Sequence, residues 1–123
     1  MAFGYPNTAV PVHAASGNVA NAAATATIQA VAGKTAYCTG FEITAGGATA
    51  AALVAATLAG ILGGTATYTF GTPAGATAVA TPLTVEFNMP IPASALNTAI
   101  VLTLPALGAG NTNAAVTLHG FYI

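Results

Sequence analysis

Runs of period-two alternation, broken by Gly, Pro and Asn, recur along the whole chain and restrict it to short strands joined by tight turns. The stretch 33–44, Gly-Lys-Thr-Ala-Tyr-Cys-Thr-Gly-Phe-Glu-Ile-Thr, is the one to place first, because it holds the single Lys, the single Cys and one of two acidic residues. Its alternation puts Tyr37, Thr39, Phe41 and Ile43 on one side, taken as inward. Ala36, Cys38, Gly40 and Glu42 fall on the other. A central or near-central strand of a β-sandwich is expected here.

The remaining segments follow the same rule. Ala24, Ala26, Ile28 and Ala30 alternate with Thr25, Thr27 and Gln29. Thr65, Thr67 and Thr69 alternate with Ala66, Tyr68 and Phe70. Leu83, Val85 and Phe87 alternate with Thr84, Glu86 and Asn88, then Met89-Pro90-Ile91-Pro92 continues as a stiff extended run and 92–96 as one helical turn. Ile100, Leu102 and Leu104 precede a turn at 108–113, and 116–123 closes the chain. Residues 51–62 are ambiguous, since alanine favours helix. Val54, Ala56 and Leu58 nevertheless alternate with Ala55, Thr57 and Ala59, and flanking glycine pairs favour a strand. Residues 72–77 read as a loop. The expectation is an all-β, two-sheet antiparallel sandwich of about seven or eight strands, jelly-roll or immunoglobulin-like. It occupies 21–123 as a single domain, behind an extended N-terminal arm, 1–20, in which Pro6 and Pro11 hold the backbone straight. One short echo is visible: 17–23, Gly-Asn-Val-Ala-Asn-Ala-Ala, resembles 110–115, Gly-Asn-Thr-Asn-Ala-Ala.

Charge excludes several functions. Charged residues make up 2% of the 123, against about a quarter in ordinary soluble domains, and the formal net charge is −1. One lysine cannot neutralise a row of phosphates or an anionic membrane surface, so neither nucleic acid nor membrane is expected as a partner. Thr, Asn and Gly supply nearly all the polar surface, and charge repulsion cannot keep such a chain apart from its neighbours. A surface meant to be covered by other subunits is expected, the alternative being a soluble monomer coated with Thr and Asn, since apolar atoms on a surface are normal. The charge-free interval between Glu42 and Glu86 contains one apolar run, 48–62. It is shorter than the roughly 20 residues a spanning helix needs, and it lacks basic flanks. The opening Met-Ala-Phe-Gly-Tyr-Pro shows no secretory pattern, and a lone cysteine fits a reducing cytoplasm.

Chemistry-bearing residues are few. Cys38, Ser16 and Ser94 are the candidate nucleophiles, His13 and His119 the candidate bases, and Glu42 and Glu86 the carboxylates. No nucleophile elbow or paired-carboxylate spacing joins them, so no enzyme and no catalytic residue is expected. His13 and His119 stand far apart with no metal-ligand spacing, and Gly33-Lys34-Thr35 lacks the first glycine of a phosphate loop; neither metal nor cofactor is expected. Lys34, Glu42 and Glu86 are available for an ion pair. Thr-x-Thr units invite comparison with ice-binding faces, but their spacing has no fixed period.

The segments 14–22, 33–35 and 39–44, together with 91–95, 108–115 and 120–121, resemble small virion proteins of tailed bacteriophages. The resemblance implies a capsid decoration or cement protein: a β-sandwich, made in the host cytoplasm, that binds the major capsid protein on the virion surface as a homotrimer. A phage tail or fibre-base protein, or a carbohydrate-binding sandwich module, are the alternatives. Phe3, Tyr5, Met89 and Ile91, apolar residues in irregular segments, are the expected assembly contacts.

Overall fold

The computed structural model describes residues 8–123, which form nine strands in two antiparallel sheets. They are β1 (Val10–Ala15), β2 (Ala24–Ile28), β3 (Ala36–Ala48), β4 (Ala52–Ala59), β5 (Ala66–Thr72), β6 (Gly75–Val79), β7 (Leu83–Pro92), β8 (Ile100–Leu104) and β9 (Asn113–Tyr122). One sheet runs β1-β9-β3, with β6 and β7 sharing the far side of β3; the other runs β2-β8-β4-β5. The pairs β1·β9, β2·β8, β3·β7 and β4·β5 are nested, each enclosed in sequence by the one before. A long antiparallel hairpin with alternate strand pairs in opposite sheets is a rolled ribbon, the jelly-roll arrangement.

The core follows from the alternation. In the β2-β8-β4-β5 sheet, Ala24, Ala26, Ile28, Ile100, Leu102, Leu104, Ala56, Leu58 and Phe70 point inward and are buried. Phe41, Ile43, Val116 and Leu118 meet them from the other sheet. Each large aliphatic side chain buried there contributes about 1.5–3 kcal/mol relative to exposure. The segment 51–62 does contain a strand, β4: Leu58 pairs with Ala66 and Leu102 across its two neighbours, and that burial overrides alanine's helical preference.

Three local readings change. β3 does not keep one parity. Its register against β9 runs Cys38↔Gly120 and then Gly40↔His119, so Thr39 is an extra residue, a β-bulge. Before the bulge Ala36 and Cys38 face the core while Tyr37 turns outward; after it Phe41 and Ile43 face inward. Tyr37 therefore stacks on outward Phe121 at 4.9 Å instead of entering the core. Residues 75–79 form β6, hydrogen-bonded to the end of β3, where a loop was expected. Ala93 bridges Ile61, and residues 94–97 make bends and a turn closed by Asn97 at φ 55, not a helical turn. Within the leader 1–20, Val10–Ala15 is β1, paired with β9 over its whole length.

Gly120 is required where β9 passes β3. A Cβ there would run into the Tyr37 carbonyl and come within 3.0 Å of Ile28 Cδ1, so only glycine lets the backbones approach.

Candidate functional site

Four of the chain's five His, Glu and Lys side chains share the outer face of the β1-β9-β3-β7 sheet. His13 on β1 lies directly opposite His119 on β9, and His119 lies opposite Gly40, which in turn faces Glu86 on β7. Glu42, two residues beyond Gly40, is the diagonal neighbour of His119, within reach of a long side chain. Its Oε2 stands 2.7 Å and its Oε1 3.0 Å from His119 Nε2. The two rings His13 and His119 are 6.5 Å apart between centroids. The Thr39 bulge creates this arrangement, since without it Gly40 and Glu42 would face inward. Gly40 carries no side chain, and beside it Pro11, Val12, His13, Thr39, His119 and Gly120 line an open depression of about 360 Å³.

This row can orient an imidazole through Glu42, but neither Cys38 nor Ser16 joins it. Cys38 points to the opposite side of the sheet, where burial pushes its thiol up to about 11 and keeps it protonated. Ser16 is engaged structurally: its Oγ donates to the Gly17 carbonyl and accepts from the Val116 N–H. Glu42 is hydrogen-bonded to His119 Nε2 and not paired with Lys34. Among the described residues no group of three or more His, Cys, Asp or Glu side chains is placed to hold a metal ion. No helix among them is long and apolar enough to cross a membrane.

The expected assembly residues scatter. Phe3 and Tyr5 lie outside the described residues. Met89 sits in a wide irregularity of β7, where the register against β3 jumps from Glu86↔Gly40 to Ile91↔Cys38, and it is 78% exposed. Ile91, only two residues on, instead packs against the core. Leu53, Leu62, Val79 and Leu96 are exposed apolar residues that the sequence did not single out. Their exposure depends on which face of a strand or turn they occupy, and alternation alone leaves that open for alanine-rich segments.

Two further arrangements appear only in three dimensions. On the outer face of the β2-β8-β4-β5 sheet, Thr25, Thr103, Thr57 and Thr67 stand in register across all four strands. The threonines lack a period along the chain because their order runs across it. The second is the pairing of the two Gly-Asn segments. Val19 bridges Ala114, and Asn111 Oδ1 accepts the Asn21 N–H at 3.0 Å. Asn111 Nδ2 donates to the carbonyls of Gly46, Gly47 and Asn113. The echo in sequence is thus a contact in space, tying the β1–β2 and β8–β9 connections to the end of β3.

No protein-family model matches the sequence, and comparisons with curated proteins and with solved structures return no match.

Proposed function

We propose that this chain is a structural virion protein of the decoration or cement kind, which binds the outside of a phage capsid as an oligomer and stabilises the shell. The observation that carries this reading is the character of the surface: a rigid jelly roll exposes Leu53, Leu62, Val79, Leu96 and Met89 with almost no ionised side chain around them. Exposed apolar residues in a neutral setting favour burial against another protein, and jelly rolls are a frequent architecture of capsid subunits. Contacts of this kind are weak singly; repeated over an icosahedral lattice, they sum to a large stabilisation of the shell.

Purified protein mixed with capsids that lack it is expected to co-sediment with them at a fixed stoichiometry and to raise the temperature at which they burst. Capsids that neither bind it nor gain resistance would remove this function. Met89→Lys is expected to weaken binding at least about tenfold, the effect of placing one charge in an apolar contact. A second reading, carbohydrate binding, is favoured by one feature, the depression beside His13, Thr39 and His119. Glycan binding that is lost in His119→Ala would select it.

A further inference from the structure

The edge strands of the sandwich differ in how they are protected. β1 carries Pro11, and β7 carries Glu86, Pro90 and Pro92. Proline offers no N–H to an incoming strand and charge discourages stacking, so both edges are blunted. β6 is five residues long and pairs with β3 only near Gly46 and Ala48. β2 is equally short, and β1 packs beside it at the corner where the sheets meet. β5 has neither the prolines nor the charge of these edges, and β3 is the strand of the other sheet that comes nearest it. Its seven residues, Ala-Thr-Tyr-Thr-Phe-Gly-Thr, contain neither proline nor charge, and β4 is its one strand partner among the described residues. A strand paired on one side presents a row of N–H and C=O groups on the other, ready for a further strand.

We propose that this edge binds β5 of a second copy of the chain, antiparallel about a two-fold axis at Thr69, joining two four-stranded sheets into one of eight. A two-fold axis perpendicular to a sheet keeps each side chain on its own face, so residues can pair only with residues of the same parity. Centring on Thr69 is the choice that pairs all seven residues. It sets Thr69 against Thr69, Thr67 against Gly71, Ala66 against Thr72, and Tyr68 against Phe70. The last is an aromatic cross-strand pair formed twice. No like charges meet, because 43–85 contains none.

Leu53 supplies the independent argument for this occupant. It is 76% exposed, pairs with Gly71 across β4 and β5, and leans over it: a Cβ at Gly71 would lie 3.3 Å from Leu53 Cδ1. The leucine thus reaches over the last strand toward the open edge. In the paired sheet Thr67 of the second copy sits opposite Gly71, and Leu53 covers that seam from each side. The glycine in an otherwise β-favouring strand is explained by the side chain that lies across it.

This inference goes beyond the capsid reading, sets a two-fold association in place of the three-fold one that the resemblance implies, and is tested without capsids. Sedimentation equilibrium over a concentration series is expected to show reversible association to twice the chain mass. Thr69→Lys places two ammonium groups opposite each other at the axis and is expected to raise the dissociation constant at least about tenfold. Its circular dichroism should stay that of the parent, since Thr69 is exposed. Thr69→Cys gives the register: opposed Cα atoms at about 4.5–5.5 Å lie in disulfide range. It is expected to cross-link to itself on mild oxidation. Thr67→Cys, offset from its own copy by four residues or roughly 13 Å, is not. A wild-type chain of single mass throughout, a three-chain mass, a dimer indifferent to Thr69→Lys, or cross-linking by Thr67→Cys but not Thr69→Cys would each overturn the proposal.

Discussion

Asn111 is 3% exposed, yet both ends of its amide are engaged. Three carbonyls and one N–H from three separate segments converge on it; the bonds to the Gly46 and Gly47 carbonyls are buried, and the Gly46 carbonyl also accepts from the Thr112 N–H. Asn111→Ala is therefore expected to cost about 1–3 kcal/mol in urea unfolding, the penalty for leaving a buried polar group without its partner. Asn111→Asp should be no better, since a carboxylate cannot donate to the Gly46, Gly47 and Asn113 carbonyls. Cys38 gives a second test at the same scale. Burial raises its thiol from 9.0 to about 11, so the folded chain holds a proton that the unfolded chain releases in that interval. With fewer protons bound in the unfolded state, stability is fully present below pH 9 and falls as pH rises toward 11. The loss is expected to be about 1–3 kcal/mol for a two-unit difference. Tyr68, raised by burial and by its neighbour Cys38, and Tyr122, raised by burial, push in the same direction. Cys38→Ala should reduce the slope of stability against pH in this window without abolishing it. An unchanged slope would show that the thiol is not the buried group described here.

At the scale of elements, the bulge in β3 decides more than any single side chain. One additional residue, Thr39, lets the same strand bury Ala36 and Cys38 on one side of it and Phe41 and Ile43 on the other. The number of residues is what matters, not the threonine. Thr39→Ala, at a half-buried position on the outer face, is expected to change stability by less than about 1 kcal/mol. Deleting Thr39 would turn Ala36 and Cys38 outward and Tyr37 into the core, and soluble folded protein should not be recovered. Gly120→Ala tests the neighbouring strand: its Cβ meets backbone, which cannot swing aside as a side chain can. A loss of about 3 kcal/mol or more is expected, at the upper end of overpacking costs. These elements also show what the sequence made legible. Inward Ala24, Ala26 and Ile28, and inward Ile100, Leu102 and Leu104, followed from alternation because nothing interrupts those strands. Tyr37 was misplaced because a bulge adds one residue without changing composition. Residues 75–79 have too few large side chains to announce a strand, and β6 forms only because the end of β3 offers it a partner.

For the molecule as a whole, closure of the roll brings His13 to His119 and Asn21 to Asn111, contacts that local pattern does not encode because nested pairing joins the two ends of the ribbon. The polar row was illegible for that reason, while the scarcity of charge was plain from the start. That scarcity has a measurable consequence for every interface the protein makes. Screening by salt weakens attraction between exposed charges, with a Debye length falling from about 10 Å at 0.1 M to about 3 Å at 1 M. Here one lysine and two glutamates are the permanent charges, and Glu42 is turned toward His119 within its own sheet. The contacts proposed for Leu53, Met89 and the β5 edge have no such dependence, and salting-out ions strengthen apolar burial. The proposed self-association and the proposed capsid binding should therefore hold steady or tighten when ionic strength is raised from about 0.05 to about 0.5 M. A dissociation constant that rises tenfold over that range would mean that the partner is held by charges, and a chain this neutral supplies too few of them to be the dominant side of such an interface.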